Sequence, residues 1–224
     1  MNNYTQAQFV QIQDLIDQNR HEEALNELRD LIAVFPEEAS LYVLKGNALQ
    51  LAGRLEEAIQ AYKTGIEMDP MNVEARSNLS AVLYKTGYYV DALNAADAAI
   101  LTDKNFAPAY VNAANALITL GHMDHGAYAL KKAFELDPSE PLLGVKIAEL
   151  YFANDDYERA RDVYFEIARM KDIDPQIHEL IADLFKRAKE KGITRLSLIH
   201  DIDAWRAEFA SNPTVFELAK ELTV

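Results

Sequence analysis

Three prolines set the frame of this chain. Pro36 and Pro70 stand 34 residues apart, and Pro138 falls at twice that interval beyond Pro70. The skipped place is Lys104, inside the loop-forming run Thr102-Asp103-Lys104-Asn105, and Asp172 continues the series. A fixed period of this length marks a stacked repeat, in which each unit is one supersecondary element that cannot bury its apolar face alone. Counting from these landmarks gives five units, 5–38, 39–72, 73–106, 107–140 and 141–174, and an atypical sixth from 175.

Other residues fall into the same register. Midway through each unit stands a small residue, Ala24, Ala58, Ala92, Gly126 and Ala160, as expected where two helices cross closely. Before it come Asn19, Gly53, Gly87, Gly121 and Asp155, types that tolerate the left-handed backbone of a helix C-cap. Apolar residues at helical spacing, such as Leu79, Leu83, Ala92, Ala96, Ala99 and Ile100 in the third unit, then make each unit a helix, a turn and a second helix.

The second unit carries Tyr42, Gly46, Leu49, Ala58, Tyr62 and Pro70, with Lys45 where leucine is commoner. The fourth has Tyr110, Ala114, Leu117 and Pro138, the fifth Ala148, Tyr151, Ala160 and Tyr164, and the first has Gln8 in the aromatic place. On these residues the chain resembles the tetratricopeptide repeat (TPR) family over about 170 residues. The resemblance implies an all-α fold, a right-handed superhelical solenoid of antiparallel helix hairpins. It spans residues 1–192, and residues 193–224 form a helical C-terminal cap. In that stretch Leu196, Ile199, Ile202, Trp205 and Phe209 share one helical face, and Asn212-Pro213 opens a last short helix with Phe216 and Leu222.

The family places the second, fifth, sixth, ninth, twelfth and thirteenth residues of each unit on a concave surface, away from the core. Here these include Val43, Leu44 and Asn47, then Ser77, Asn78 and Tyr84, then Val111, Asn112, Asn115 and Ile118, then Val145, Lys146, Glu149 and Phe152. Amides offer a donor and an acceptor each, so Asn47, Asn78, Asn112 and Asn115 suit the backbone of a bound peptide. The same asparagines equally suit bonds between neighbouring helices. Val43, Tyr84, Val111, Ile118, Val145 and Phe152 would anchor side chains of a client, or pack helix on helix. Some relatives clamp a chaperone's C-terminal carboxylate with two asparagines, two lysines and an arginine. Asn47 and Asn78 match the asparagines, but Val43, Pro108 and Asn112 stand in the basic places, which argues against such a clamp.

Composition narrows the partners. With 36 acidic against 22 basic side chains the formal charge is −14, which opposes nucleic acid and anionic lipid. Only −1 of that lies in residues 175–224, so the acidity belongs to the repeats. The chain has no cysteine, which excludes disulfides and thiolate metal sites. No run is long and apolar enough for a membrane span or signal peptide, so a cytoplasmic location is expected.

Nothing points to catalysis or a cofactor. His122 and His125 flank a turn without a third ligand, and His21, His178 and His200 lie apart. Paired acids such as Glu22-Glu23 and Asp155-Asp156 suit helix starts. The expectation is therefore a noncatalytic adaptor or chaperone without metal, holding a peptide or protein client. The alternatives are a self-assembling scaffold, a homo-oligomer through the C-terminal helices, and a subunit of a secretion or enzyme complex.

Overall fold

The structure is a computed structural model that describes residues 3–138, 140–168 and 186–187. Ten α-helices and no strand occur among the described residues. Backbone packing gathers the chain into two units, Met1–His122 and Met123–Val224. The first holds α1 (Asn3–Asp17), α2 (His21–Val34), α3 (Ala39–Leu51), α4 (Leu55–Met68), α5 (Val73–Lys85), α6 (Tyr89–Thr102) and α7 (Ala107–Thr119). The second holds α8 (Met123–Leu136), α9 (Pro141–Ala153) and α10 (Tyr157–Ala168). The sixth repeat unit, apart from Lys186 and Arg187, lies outside the described residues, as do Asp172 and the cap at 193–224.

Within each repeat the first helix ends in the same way. Asn19, Gly53, Gly87, Gly121 and Asp155 all have positive φ, between 60° and 86°. The next residue's N–H reaches five residues back, as in Arg54 to Leu49 at 2.9 Å and Tyr88 to Leu83 at 2.9 Å. This is the Schellman ending, which satisfies a carbonyl left open by the helix and reverses the chain in a three-residue turn. The second helix then starts on the apolar stripe of its sequence. In α4, Glu56 and Glu57 occupy the first turn, where the helix dipole favours carboxylates, and Ala58, Ile59, Ala61, Tyr62 and Gly65 form the buried stripe.

Small residues let these hairpins close. Ala24, Ala58 and Ala92 have no exposed surface, Ala160 has 2%, and Gly126 is buried. A Cβ on Gly46 would come within 2.5 Å of the Tyr62 ring, so α3 and α4 approach through a glycine against an aromatic face. In the second unit a Cβ on Gly144 would meet Ile167 at 2.7 Å. Two cores fill the first unit: one joins Ile12, Leu15, Leu28, Leu31, Leu41 and Leu44. The other joins Leu49, Tyr62, Leu79, Val82, Leu83 and Ala92. At roughly 1.5–3 kcal/mol for each large side chain fully buried, this packing outweighs any single cap or ion pair.

Repeats are also clipped to one another. In the second, third and fourth repeats the fourth residue donates to a main-chain carbonyl in the turn that ends the repeat before it. Tyr42 Oη reaches Pro36 O at 2.9 Å, and Tyr110 Oη reaches Lys104 O at 3.1 Å. Arg76 serves the same role with Nε and Nη2 on Pro70 O, at 3.0 and 2.7 Å. An arginine can therefore stand in the family's aromatic place because what the junction requires is a long side chain ending in a donor.

Candidate peptide-binding face

Tyr62 begins a polar line that runs across three first helices. It has no exposed surface, and burial pushes its hydroxyl pKa up, so it remains a donor at any working pH. That one proton lies 2.7 Å from Asn47 Oδ1 and 3.1 Å from Gln50 Oε1, oxygen to oxygen, a three-centre arrangement. Asn47 Oδ1 also accepts from Asn78 Nδ2 at 3.0 Å, which joins α3 to α5. On the next helix, Asn112 Nδ2 donates to both Ser77 O and Ser77 Oγ at 2.9 Å, which joins α7 to α5.

These bonds consume half of each amide and leave a definite remainder. Asn47 has used both lone pairs of its carbonyl and retains its NH2 group. Asn78 retains its carbonyl and one N–H, and Asn112 its carbonyl. All three residues are half-buried. The asparagines therefore bridge neighbouring helices, as one of their two readings expects, and each keeps some hydrogen-bonding capacity unspent. Asn115 is half-buried on the same helix as Asn112, and its main-chain carbonyl accepts from Thr119 Oγ1 at 2.9 Å.

The apolar members divide. Tyr84, Val111 and Ile118 are half-buried and border the amide line. Thr119 Oγ1 has spent its proton on Asn115 O, so Tyr84 Oη donates to Thr119 at 3.0 Å, and the Tyr84 ring tilts against Tyr89 at 5.4 Å. Val43, Val145 and Phe152 differ from the expectation of a surface place, with 8%, 4% and 8% exposure. Leu44 and Ser77 are also buried, at 2% each. For Val43 the reason is geometric: it faces α4. A Cβ on Gly65 of α4 would lie 3.0 Å from Val43 Cγ2. Phe152 is covered by the Arg187 guanidinium, 5.7 Å from its ring centroid, while Arg187 pairs with Glu149 at 3.6 Å. Lys146 is exposed.

Tyr62 belongs to this polar line although the pattern of concave positions does not single it out, whereas Gln50 and Ser77 stand at two of those positions. Tyr62 reads as a core aromatic, and its hydroxyl is what carries it into the network. His122 and His125 are both exposed. Among the described residues no three His, Asp or Glu side chains gather closely enough to hold a metal ion, and no helix is long and apolar enough to cross a membrane.

A stack of helical hairpins in a constant 34-residue register defines a helical repeat protein. Two family models, described as TPR repeat and tetratricopeptide repeat, match residues 46–87 and 107–140. A segment of 105 residues is 35% identical to the Hsp70-Hsp90 organizing protein of Triticum aestivum, covering 47% of this chain and 18% of that one. Over 178 residues the chain is 24% identical to the DnaJ homolog subfamily C member 3 homolog of Dictyostelium discoideum, covering 72% of this chain and 36% of the relative. Among solved structures, PilF of Pseudomonas aeruginosa matches with a TM-score of 0.71 over 98% of this chain and all of that one, at 16% identity, a likeness of fold. The chain carries tetratricopeptide repeats at residues 46–87 and 107–140. It spans 36% or less of the length of these two curated relatives.

Proposed function

We propose that this chain is a noncatalytic protein-interaction module whose first-helix face, built by α3, α5 and α7, holds an extended segment of a client protein. The observation that carries this reading is the unspent half of the amide line. Asn47 offers donors, Asn78 an acceptor and a donor, and Asn112 an acceptor. An extended backbone presents N–H and C=O groups in alternation, so this sequence of partners suits main-chain recognition, with each bond worth roughly 0.5–1.5 kcal/mol. Tyr84, Val111 and Ile118 supply adjacent apolar surface for alternate side chains. An acidic chain of formal charge −14 favours neutral or basic clients. Similarity of a 105-residue segment to a protein named for organising two chaperones supports an adaptor or chaperone role.

The test uses an array of uncharged twelve-residue peptides with alternating apolar residues. Binding by the full chain is compared with that of Asn78→Ala and Asn112→Ala, each first shown to be folded by circular dichroism. Peptides retained by the parent and lost by both variants support the reading. Equal retention by all three proteins rejects it.

A further inference from the structure

The amide line across α3, α5 and α7 has a polarity. Tyr62 Oη, the buried donor of α4, reaches Asn47 Oδ1 at 2.7 Å, so Asn47 turns its oxygen to α5 as an acceptor. Asn78 answers with its nitrogen, Nδ2, at 3.0 Å. Turning the Asn78 amide over would set two oxygens against each other, so its nitrogen is held toward α3 and its oxygen away from α3. On α7, Asn112 spends its nitrogen on Ser77, at 2.9 Å to both O and Oγ, and keeps its oxygen.

Asn47 Nδ2, Asn78 Oδ1 and Asn112 Oδ1 make no hydrogen bond among the described residues. The side-chain atoms there that are both buried and unpartnered are Gln8 Oε1, His21 Nδ1 and Arg187 Nε, so the three amide atoms keep accessible surface. From α3 to α7 the open groups run donor, donor, acceptor, acceptor: Asn47 Nδ2, the second N–H of Asn78, Asn78 Oδ1 and Asn112 Oδ1. A terminal carboxylate has acceptors only and would leave the two oxygens unmatched, and a terminal amine has donors only and would leave the two nitrogens unmatched. An internal residue offers both kinds, its N–H on the N-terminal side of Cα and its C=O on the C-terminal side. Held by the Asn78 amide as it stands, such a residue has its C=O toward α3 and its N–H toward α7.

We propose that Asn78 reads one internal, non-proline residue of an extended client through both of its main-chain groups, and that the client runs from its N-terminal end at α7 to its C-terminal end at α3. This rests on the amide line being a main-chain binding face. Asn47 then donates to a C=O on the C-terminal side of the central residue, and Asn112 accepts an N–H on its N-terminal side. Proline has no N–H and is excluded opposite Asn78. Tyr62 is a positioning residue, because its one proton decides which way the Asn47 and Asn78 amides face. Helices pack about 8–10 Å apart and an extended chain rises about 3.3 Å per residue, so about seven residues span the three helices.

The experiment is a 15N NMR titration of the full chain with acetyl-Gly-Ser-Val-Ser-Val-Ser-Gly-amide, extended by one nitroxide-labelled cysteine at either its N-terminal or its C-terminal end. The chain has no cysteine, so the label stays on the peptide. Saturable shifts are expected at the side-chain NH2 groups of Asn47, Asn78 and Asn112. The N-terminal label should broaden α7 amides more than those of α3, and the C-terminal label the reverse. Methylating the three central nitrogens keeps every C=O and removes N–H groups, and should weaken binding at least roughly tenfold. Reversed broadening, or equal broadening of both helices by both labels, with shifts still centred on the three asparagines, overturns the direction and leaves the main-chain reading standing. Undiminished binding of the methylated peptide, or tighter binding of acetyl-Gly-Ser-Val with a free carboxylate, overturns the assignment of an internal residue to Asn78. No saturable shift at the three side chains overturns both the direction and the main-chain reading.

Discussion

Replacing Gly46 by alanine tests a close approach of two helices. The new Cβ would lie 2.5, 2.6 and 2.9 Å from three carbons of the Tyr62 ring. Carbon atoms in good contact sit about 3.5–4.0 Å apart, so the overlap is about 1 Å. The ring has no free direction, because Tyr62 has no exposed surface and its hydroxyl is tied to Asn47 and Gln50. Overpacking of this kind costs about 1–3 kcal/mol, and disturbing the Tyr62 bonds adds roughly 0.5–1.5 kcal/mol. A loss of about 2–4 kcal/mol is expected, with each 1 kcal/mol lowering Tm by roughly 2–4 °C in a chain of this size. Differential scanning calorimetry on Gly46→Ala, Tyr62→Leu and the double variant measures it. The smaller leucine makes room for the methyl group, so the double variant should be at least about 1 kcal/mol less damaged than the two losses added. The third repeat already uses that exchange, with Ser80 and Ala96 in the same two places and both fully buried. A Gly46→Ala protein within about 0.5 kcal/mol of the parent, or strict additivity in the double variant, would refute the reasoning. Because Asn47 hangs on the same hydroxyl, client binding should weaken alongside stability.

Other perturbations follow from the same geometry. Gly144→Ala should destabilise the second unit through its 2.7 Å approach to Ile167, and Ile167→Val should recover part of the lost Tm by freeing the Cδ1 position. Arg76→Met keeps the stem but removes both donors to Pro70 O and should lower stability by about 0.5–1.5 kcal/mol in urea titration, whereas Arg76→Tyr should be tolerated. Burial raises the Asp97 carboxyl pKa, so the folded state binds its proton more readily than the unfolded chain does. The resulting penalty is absent below the unfolded value and complete above the folded one. Asp97→Asn should accordingly raise Tm at pH 7 and leave it unchanged at low pH, and an equal shift at both would contradict this.

Backbone geometry was the part of the fold most open to sequence reasoning. A positive φ and a close helix crossing each admit few residue types, so Asn19, Gly53, Gly87, Gly121 and Asp155, with Ala24 through Ala160, announce their places. Burial at the fifth position of a repeat was not legible in the same way. A valine suits a groove wall and a core equally, and only the closeness of Gly65 shows that Val43 faces α4. The amides were visible as residue types, but their pairing depends on helix-to-helix distances that no single position encodes. Tyr62 illustrates the limit, since its ring follows the core pattern while its hydroxyl completes a network that joins α4, α3 and α5. Gln8 was noticeable as a departure from the aromatic place, and the burial of its unpartnered Oε1 shows only once the helices are packed.

The clips made by Tyr42, Arg76 and Tyr110 bear on how such a chain can change over evolutionary time. Each is received by a main-chain oxygen, of Pro36, Pro70 or Lys104, and every residue type supplies that oxygen. A repeat therefore makes no demand on the side chain at the junction before it, which is why a lysine stands where prolines stand elsewhere. Duplicating or shuffling the repeats that carry such a donor leaves this latch intact. Selection is then free to vary the outward positions of each repeat almost independently of its neighbours' joints.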